Sequence, residues 1–301
     1  MKTRNENRRS FLMKGAVAGG GLILARSCLA GTPTGGTRES KSRQTRDHAN
    51  ETLNTIHSLR TIHGNFTERE IPDETIQTIL HSSVRAANSS NMQSYSIVVV
   101  RDRNTMHELC GYSGSCLLLY CVDFTRLKEC AVALGDSYCP DTIVDFVTSS
   151  INTALAAQTA AIAARSLGID VLFTNGIHRG DMGRVWKLVD LPREHCFPLI
   201  ALVMGYPTEE PAHKAGRLSG AGVIHYGKYR RPAKPDLDQL IRQYDDPTLH
   251  LGLNDSWSSE GHKHYLDWLF KSWLRREKPT DRRTQMMELL AQSGFIEQQG
   301  G

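Results

Sequence analysis

The sequence predicts an α+β fold, with a central mixed or antiparallel sheet flanked by helices. Three observations carry that expectation. Short β-branched or apolar runs recur at residues 96–101, 116–122, 170–173 and 198–203. A long alanine-rich helical pattern extends from Pro140 to about Leu167. Further helical patterns lie between and after these runs, with no internal repeat.

Residues 51–59 read as a short helix with Leu53, Ile56 and Leu59 on one face. Pro72-Asp73-Glu74 opens a second, with proline at the first turn and acids near the N-terminus. Ile76, Ile79, Leu80 and Val84 then follow at helical spacing. Ser96 to Arg101 is a β-branched strand, and Cys116 to Val122 is so continuously apolar that both its faces are expected to be buried. Pro140 starts the long helix and Gly168 closes it as a C-terminal cap. Its middle, Ala154 to Ala164, is apolar nearly all round, which predicts burial by its own domain and by a partner. Asp170 to Phe173 is a short strand, Arg179 to Val189 a helix, and Pro198 to Val203 a strand that runs into Gly205-Tyr206-Pro207. A polar loop follows at 207–222, then helices at Pro235–Tyr244, Tyr265–Arg276 and Thr284–Ser293. Trp257, Trp268 and Trp273 are expected to pack this C-terminal part against the body or a partner.

The 301 residues are 40% hydrophobic and 23% charged, which excludes a disordered chain, a collagen and a coiled-coil rod. The net charge of +4 is concentrated at the start. Residues 1–30 hold six of the 36 basic residues and one of the 32 acidic ones, so 30 basic and 31 acidic residues remain in the body. A body near neutrality gives no electrostatic case for nucleic acid.

Arg8-Arg9-Ser10-Phe11-Leu12-Met13-Lys14, followed by the weakly apolar Gly15–Ala25, resembles a twin-arginine export signal. It implies removal of residues 1–30 and a periplasmic location. Ala25-Arg26-Ser27 is a poor lipobox, which argues against a lipid anchor at Cys28. Residues 31–50, rich in Gly, Thr, Ser and charge, read as a flexible linker.

Of the seven cysteines none forms a Cys-x-x-Cys pair, so no zinc or iron–sulfur site is expected. The six beyond the signal are disulfide candidates in an oxidising compartment. The apolar setting of Cys116 and Cys121 favours core thiols, with at most one bridge. His262-Lys263-His264 invites a metal reading, but residues two apart do not share a helix face, so a solvent-exposed or capping role is expected.

Three segments in order resemble the nitroreductase family of FMN flavoproteins. They are Arg60-Thr61-Ile62-His63-Gly64-Asn65-Phe66 before a proline-started helix, Ala86-Ala87-Asn88-Ser89-Ser90-Asn91-Met92-Gln93-Ser94-Tyr95 leading into a strand, and Gly205-Tyr206-Pro207 with Lys214 and Arg217 downstream. Thr61, Ile62 and Gly64 stand where the family usually has Arg, Ser and a basic residue, and Ser94-Tyr95 replaces Pro-Trp. The likeness covers residues 51–230, read as one FMN-binding domain, with residues 231–301 as a helical extension that packs on the domain or on a partner subunit.

The resemblance implies a nitroreductase-like fold, a homodimer with the long helix at its interface, and FMN as cofactor. Implied FMN contacts are Arg60, Thr61 and Ile62, then Asn88, Ser89, Asn91 and Gln93, then Asn175 and Gly176, then Lys214 and Arg217. Cations suit the phosphate, and amide side chains suit the donors and acceptors of the flavin ring edge. A backbone N–H near Asn175-Gly176 is expected to face flavin N5. No catalytic side chain is singled out, because the flavin carries the redox chemistry. The expected activity is ping-pong transfer to an electron-poor small molecule such as a nitroaromatic or a quinone. The donor is NAD(P)H or, outside the cytoplasm, a membrane or exported redox partner. The alternatives are a flavin-binding electron carrier or redox sensor, and a degenerate member without catalysis.

Overall fold

The computed structural model describes residues 50–140, 143–220, 222–274 and 279–297. The expected export signal, and the linker up to residue 49, lie outside the described residues. Asn50 caps the first helix, α1 (Glu51–Ser58), its side-chain oxygen accepting from the Leu53 N–H at 3.1 Å.

Four strands, β1 (Tyr95–Val100), β2 (Cys116–Asp123), β3 (Asp170–Thr174) and β4 (Cys196–Gly205), form one sheet in the order β1-β2-β4-β3. Every neighbouring pair is antiparallel, with Val98 opposite Leu119, Leu119 opposite Ala201 and Leu172 opposite Val203. One parallel bridge, Thr61 to Val171, adds the segment after α1 to the free edge of β3. β2 is central and its residues 116–122 are wholly buried, as the unbroken apolar run predicts.

The two-residue period of β2 divides the core into two layers. Cys116, Leu118 and Tyr120 face α2 (Asp73–Ser83) and the long helix α5 (Ile143–Ser166), against Ile76, Ile79 and Ala156 to Ala164. Leu117, Leu119 and Cys121 face the other way, against Met106 and Leu109 of α3 (Arg103–Cys110), Trp186 of α6 (Arg184–Leu188) and Leu289 and Leu290 of α9 (Pro279–Gln292). Phe295, fully buried, closes this second layer at 6.2 Å from Phe124 and 5.1 Å from Phe146 between ring centres.

α5 can lie close to the sheet because its buried face is made of small residues: Ser149, Asn152, Thr153, Ala156, Ala157, Ala160, Ala161 and Ala164. Ser83 donates to the Ala156 carbonyl at 2.9 Å and meets the Tyr120 hydroxyl at 3.0 Å, so the buried hydroxyls of Ser83 and Tyr120 are paired. Gly168 ends the helix at φ +74°, which lets the Ile169 N–H return to the Ala164 carbonyl at 2.9 Å. The opposite face leaves Val144, Val147, Ile151 and Leu155 between 43% and 68% exposed.

Several elements depart from the sequence expectation. α3 and α4 (Thr125–Ala133) have too few apolar positions to show a helical period, and α4 buries none of its residues. α3 is instead fixed by its ends: Asp102 accepts from the Thr105 N–H at 2.7 Å, and Gly111 stops it at φ +80°. The helix expected at 179–189 is reduced to α6, preceded by a 3₁₀ turn at Gly176–His178, because Gly180 adopts φ +61°. The strand expected from Pro198 begins at Cys196. A register shift between Tyr120 and Cys121 leaves Cys121 opposite Pro198, so a residue without an N–H sits where the ladder is already irregular. The helix expected at Tyr265–Arg276 is a short α8 (Tyr265–Trp268) that widens to π-helical geometry over Leu269–Trp273. The helix expected at Pro235–Tyr244 is α7 (Lys234–Asp245).

All six described cysteines are free thiols. Cys110, Cys116, Cys121 and Cys196 are buried, and burial pushes the Cys116 thiol up to about 12. His264 sits at the start of α8 with Nδ1 2.6 Å from Asp245, whose other oxygen accepts from the Tyr265 N–H at 2.8 Å. Among the described residues no group of three His, Cys, Asp or Glu is placed to hold a metal.

Leu118, fully buried at the centre of β2, is the position where a cavity should be felt most. Leu118→Ala is expected to cost about 2–5 kcal/mol, read as a lowered urea midpoint at unchanged slope.

Candidate cofactor site

The first and third sequence segments meet at one end of the sheet. Thr67 N–H donates to the Tyr206 carbonyl at 2.8 Å and Thr208 N–H to the Asn65 carbonyl at 2.9 Å, around a bridge between Phe66 and Pro207. The Phe66 ring lies on Gly205, where an added Cβ would fall 2.9 Å from it, so the close crossing needs a glycine. Arg69 stacks its guanidinium 3.8 Å over the Tyr206 ring. The Phe and the Gly-Tyr-Pro are therefore two sides of one contact.

Beside this crossing, the segment 56–61, β3, Gln158 and Ala161 of α5 and the loop Lys214–Arg217 line a pocket of about 550 Å³. Four of the expected cofactor residues line it: Arg60, Thr61, Lys214 and Arg217. Thr61 is exposed at the wall, whereas Ile62 is 5% exposed and packs into the core. The Ile62 N–H is bonded to the Val171 carbonyl at 3.2 Å. Ile62 is thus a core residue, because alternation along an extended segment sends it inward when Thr61 faces out.

Arg60, expected as a phosphate clamp, is already engaged by two carboxylates. Its Nε and one terminal nitrogen donate to Asp170 at 2.9 and 2.7 Å, and both terminal nitrogens reach Glu210. Asp170 is buried and also accepts from Arg165 at 2.9 Å, and Arg165 Nε donates to Ser58 at 3.0 Å. Hydrogen bonds that Arg60 donates to Asp170 and Glu210 hold its pKa well above the ordinary arginine range. Two carboxylates thus balance Arg60 and Arg165.

Lys214 and Arg217 are the uncompensated cations. Lys214 Nζ donates to the His57 carbonyl, and Arg217 to the carbonyls of Gly216 and Ala215 at 2.7 and 3.3 Å. Neither forms an ion pair among the described residues. Their loop is held from below by the C-terminal part of the chain. Gly216 N–H donates to the His250 carbonyl at 2.9 Å, and the rings of His213 and His250 stack at 3.8 Å. A Cβ on Gly216 would lie 1.9 Å from the Leu249 carbonyl oxygen. No short-range sequence signal marks this support.

The second segment lies elsewhere. Asn88 to Gln93 forms a tight loop in which Ser90, Asn91 and Gln93 adopt φ of 51°, 54° and 51°. Such conformations are costly for non-glycine residues and concentrate where ligands bind. Asn88 accepts from the Gln93 N–H at 3.0 Å, and the Ser89 N–H donates to Asn152 of α5 at 3.0 Å. Asn88 therefore closes the loop, while Asn91 and Gln93 are its exposed amides. The pocket touches α5 at Gln158 and Ala161, so the two groups are offset by up to nine residues, about 13 Å of helix. One chain does not bring them together.

Asn175 is exposed at the end of β3, but Gly176 is buried and its N–H donates to Thr174 Oγ1 at 2.9 Å. That N–H is bonded to a hydroxyl of its own strand end. Gly176 instead serves packing: its Cβ would fall 2.0 Å from the Cys110 carbonyl oxygen.

Comparison with known proteins agrees with this architecture. No family model matches the chain. It is 29% identical over 227 residues to an FMN reductase (NADPH) of Bacillus subtilis, covering 70% of this chain and 90% of that one. It is 28% identical over 226 residues to an NADPH-flavin oxidoreductase of Vibrio harveyi, covering 70% and 89%. The solved NfrA1 nitroreductase from B. subtilis superposes with a TM-score of 0.69 at 25% identity, over 81% of this chain and 98% of that one. The chain has the nitroreductase fold.

Removing the buried carboxylate that the two arginines share should unsettle this end of the molecule. Asp170→Ala is expected to cost about 3 kcal/mol by leaving Arg60 and Arg165 without their common partner, measured by chemical denaturation.

Proposed function

We propose that this chain is an FMN-dependent oxidoreductase of the nitroreductase type, working as an exported homodimer that passes electrons from a donor to an electron-poor small molecule. It is an FMN-dependent oxidoreductase by its fold and by its relatives, which are named as NADPH-dependent flavin and FMN reductases. The observation that carries the assignment within this chain is the pair Lys214 and Arg217, two cations without carboxylate partners at a 550 Å³ pocket. That charge suits a phosphate, and the volume lies within the ordinary range for cofactor sites.

When bound, FMN supplies the two-electron chemistry. The protein's part is positional. Lys214 and Arg217 would neutralise the phosphate, Thr61 would offer it a hydroxyl, and Val171 and Phe173 form an apolar wall. Asn91 and Gln93 match the polar edge of a flavin ring.

A homodimer is supported by the exposed row Val144, Val147, Ile151 and Leu155 on α5, extended by Leu53 and Ile56 of α1, which packs against α5. Antiparallel pairing of two α5 helices about Leu155 sets Asn152 of one copy opposite Gln158 of the other. The amide loop of one copy then faces the phosphate pocket of the other, and each site draws on both copies. This pairing resolves the 13 Å offset within one chain.

Export rests on the Arg8-Arg9 segment alone. It bears on the donor, since a reduced nicotinamide serves the named relatives but is not expected outside the cytoplasm. A membrane quinol, a cytochrome or an exported redox protein fits a periplasmic enzyme. Acceptors are of the nitroaromatic or quinone class. Sustained turnover separates the enzyme from a carrier or sensor that is reduced once and stops.

The purified protein should show a flavin spectrum and release about one FMN per chain on denaturation. Lys214→Ala with Arg217→Ala should weaken FMN at least about tenfold while leaving riboflavin, which lacks the phosphate, nearly unchanged. A colourless chain that takes up neither flavin contradicts the assignment. Replacing Arg8 and Arg9 together by Lys should trap the precursor in the cytoplasm, and undiminished recovery in the periplasmic fraction would exclude this route.

A further inference from the structure

We propose that Glu210 is an internal counter-ion that the cofactor phosphate displaces from Arg60, so that phosphate binding and Glu210 release are one exchange. The proposal rests on the FMN reading above and adds the residue that sets how tightly the phosphate is held.

Arg60 carries two unlike carboxylates. Asp170 has a side chain 3% exposed and is shared with Arg165, so it is a fixed partner. Glu210 has a side chain 76% exposed and makes no other ion pair among the described residues. An ion pair that ends in open solvent is weak and exchangeable. The guanidinium has five N–H groups in one plane, and the edge turned to Glu210 is the one left over after Asp170 is satisfied. That planar edge matches two oxygens of a phosphate as well as it matches a carboxylate.

The loop is built to let Glu210 go. Thr208 is tied to Asn65 at 2.9 Å, and beyond Glu210 the chain is tied again at Lys214 to His57 and at Gly216 to His250. Glu210 lies between these anchors, so it can swing outward without moving the crossing behind it or the two cations ahead of it. The charge account points the same way. With Glu210 in place, Arg60, Arg165, Lys214 and Arg217 face Asp170 and Glu210, a surplus of two positive charges. With Glu210 released the surplus is three, set against a phosphate of about −1.5 to −2. The exchange replaces a solvent-exposed monoanion by a group of higher charge and three acceptor oxygens. Glu209, the neighbouring exposed acid, makes no ion pair among the described residues and serves as the internal control.

The test uses the full chain stripped of cofactor and titrated with FMN and with riboflavin, in wild type, Glu210→Gln and Glu209→Gln. Glu210→Gln should tighten FMN by about three- to tenfold and leave riboflavin unchanged, with Glu209→Gln close to wild type. A Glu210→Gln chain that binds FMN more weakly, or with the same FMN-to-riboflavin ratio as wild type, overturns the exchange and makes Glu210 a fixed support of Arg60. An equal gain in Glu209→Gln also overturns it, since loop charge at a distance then suffices. If no variant takes up either flavin, the FMN reading fails and inorganic pyrophosphate reads the exchange instead. A larger thermal shift in Glu210→Gln than in wild type supports the exchange, and equal shifts overturn it.

Discussion

The carboxylate of Asp170 is the point on which this end of the molecule depends. It sits at the first residue of β3, just past the Gly168 turn that ends α5. From there it gathers Arg165 from the last turn of the long helix and Arg60 from the segment laid along the sheet edge. Arg165 in turn holds Ser58 at the end of α1. Four chain segments that begin or end in different directions are thereby fixed against one another by one buried anion. Buried charges persist only when paired and hydrogen-bonded, and this one accepts from three guanidinium nitrogens.

That arrangement separates two uses of positive charge. Arg165, and the edge of Arg60 turned to Asp170, are balanced and shape the pocket wall. The cations on the loop after β4 are tied only to carbonyl oxygens, so they keep their charge for a ligand. A carbonyl oxygen fixes the position of a lysine without cancelling its field, whereas a carboxylate does both. The local choice of partner decides which cation is architecture and which is available for binding.

Much of this was legible in the sequence, and the rest was hidden for identifiable reasons. β2 announces itself by an unbroken apolar run, and α5 by alanine. Lys214 and Arg217 stand out as cations after a Gly-Tyr-Pro turn. Arg60 is equally visible as a cation, but its neutralisation is not, because Asp170 lies 110 residues away and Glu210 lies 150. The burial of Ile62 is not legible from the motif, which treats a run of residues alike, while an extended backbone turns alternate side chains to opposite sides. α4 buries nothing and so leaves no periodic trace. The support that Leu249 gives to Gly216 is a backbone contact, which no side-chain pattern records. The bond from the Gly176 N–H to the Thr174 hydroxyl two residues back is a local contact that no apolar period marks.

The burial of Phe295 has a consequence in time. One wall of the pocket comes from residues 57–61, the facing cations from 214–217, and the layer beneath the sheet is closed by Leu289, Leu290 and Phe295. Contacts of such long sequence separation form late, because the chain between them must first be in place. During synthesis the nascent chain holds neither a finished core nor a finished cradle until Phe295 has emerged. A chain cut short before Phe295 would lack the packing that closes the layer beneath β2 and β4.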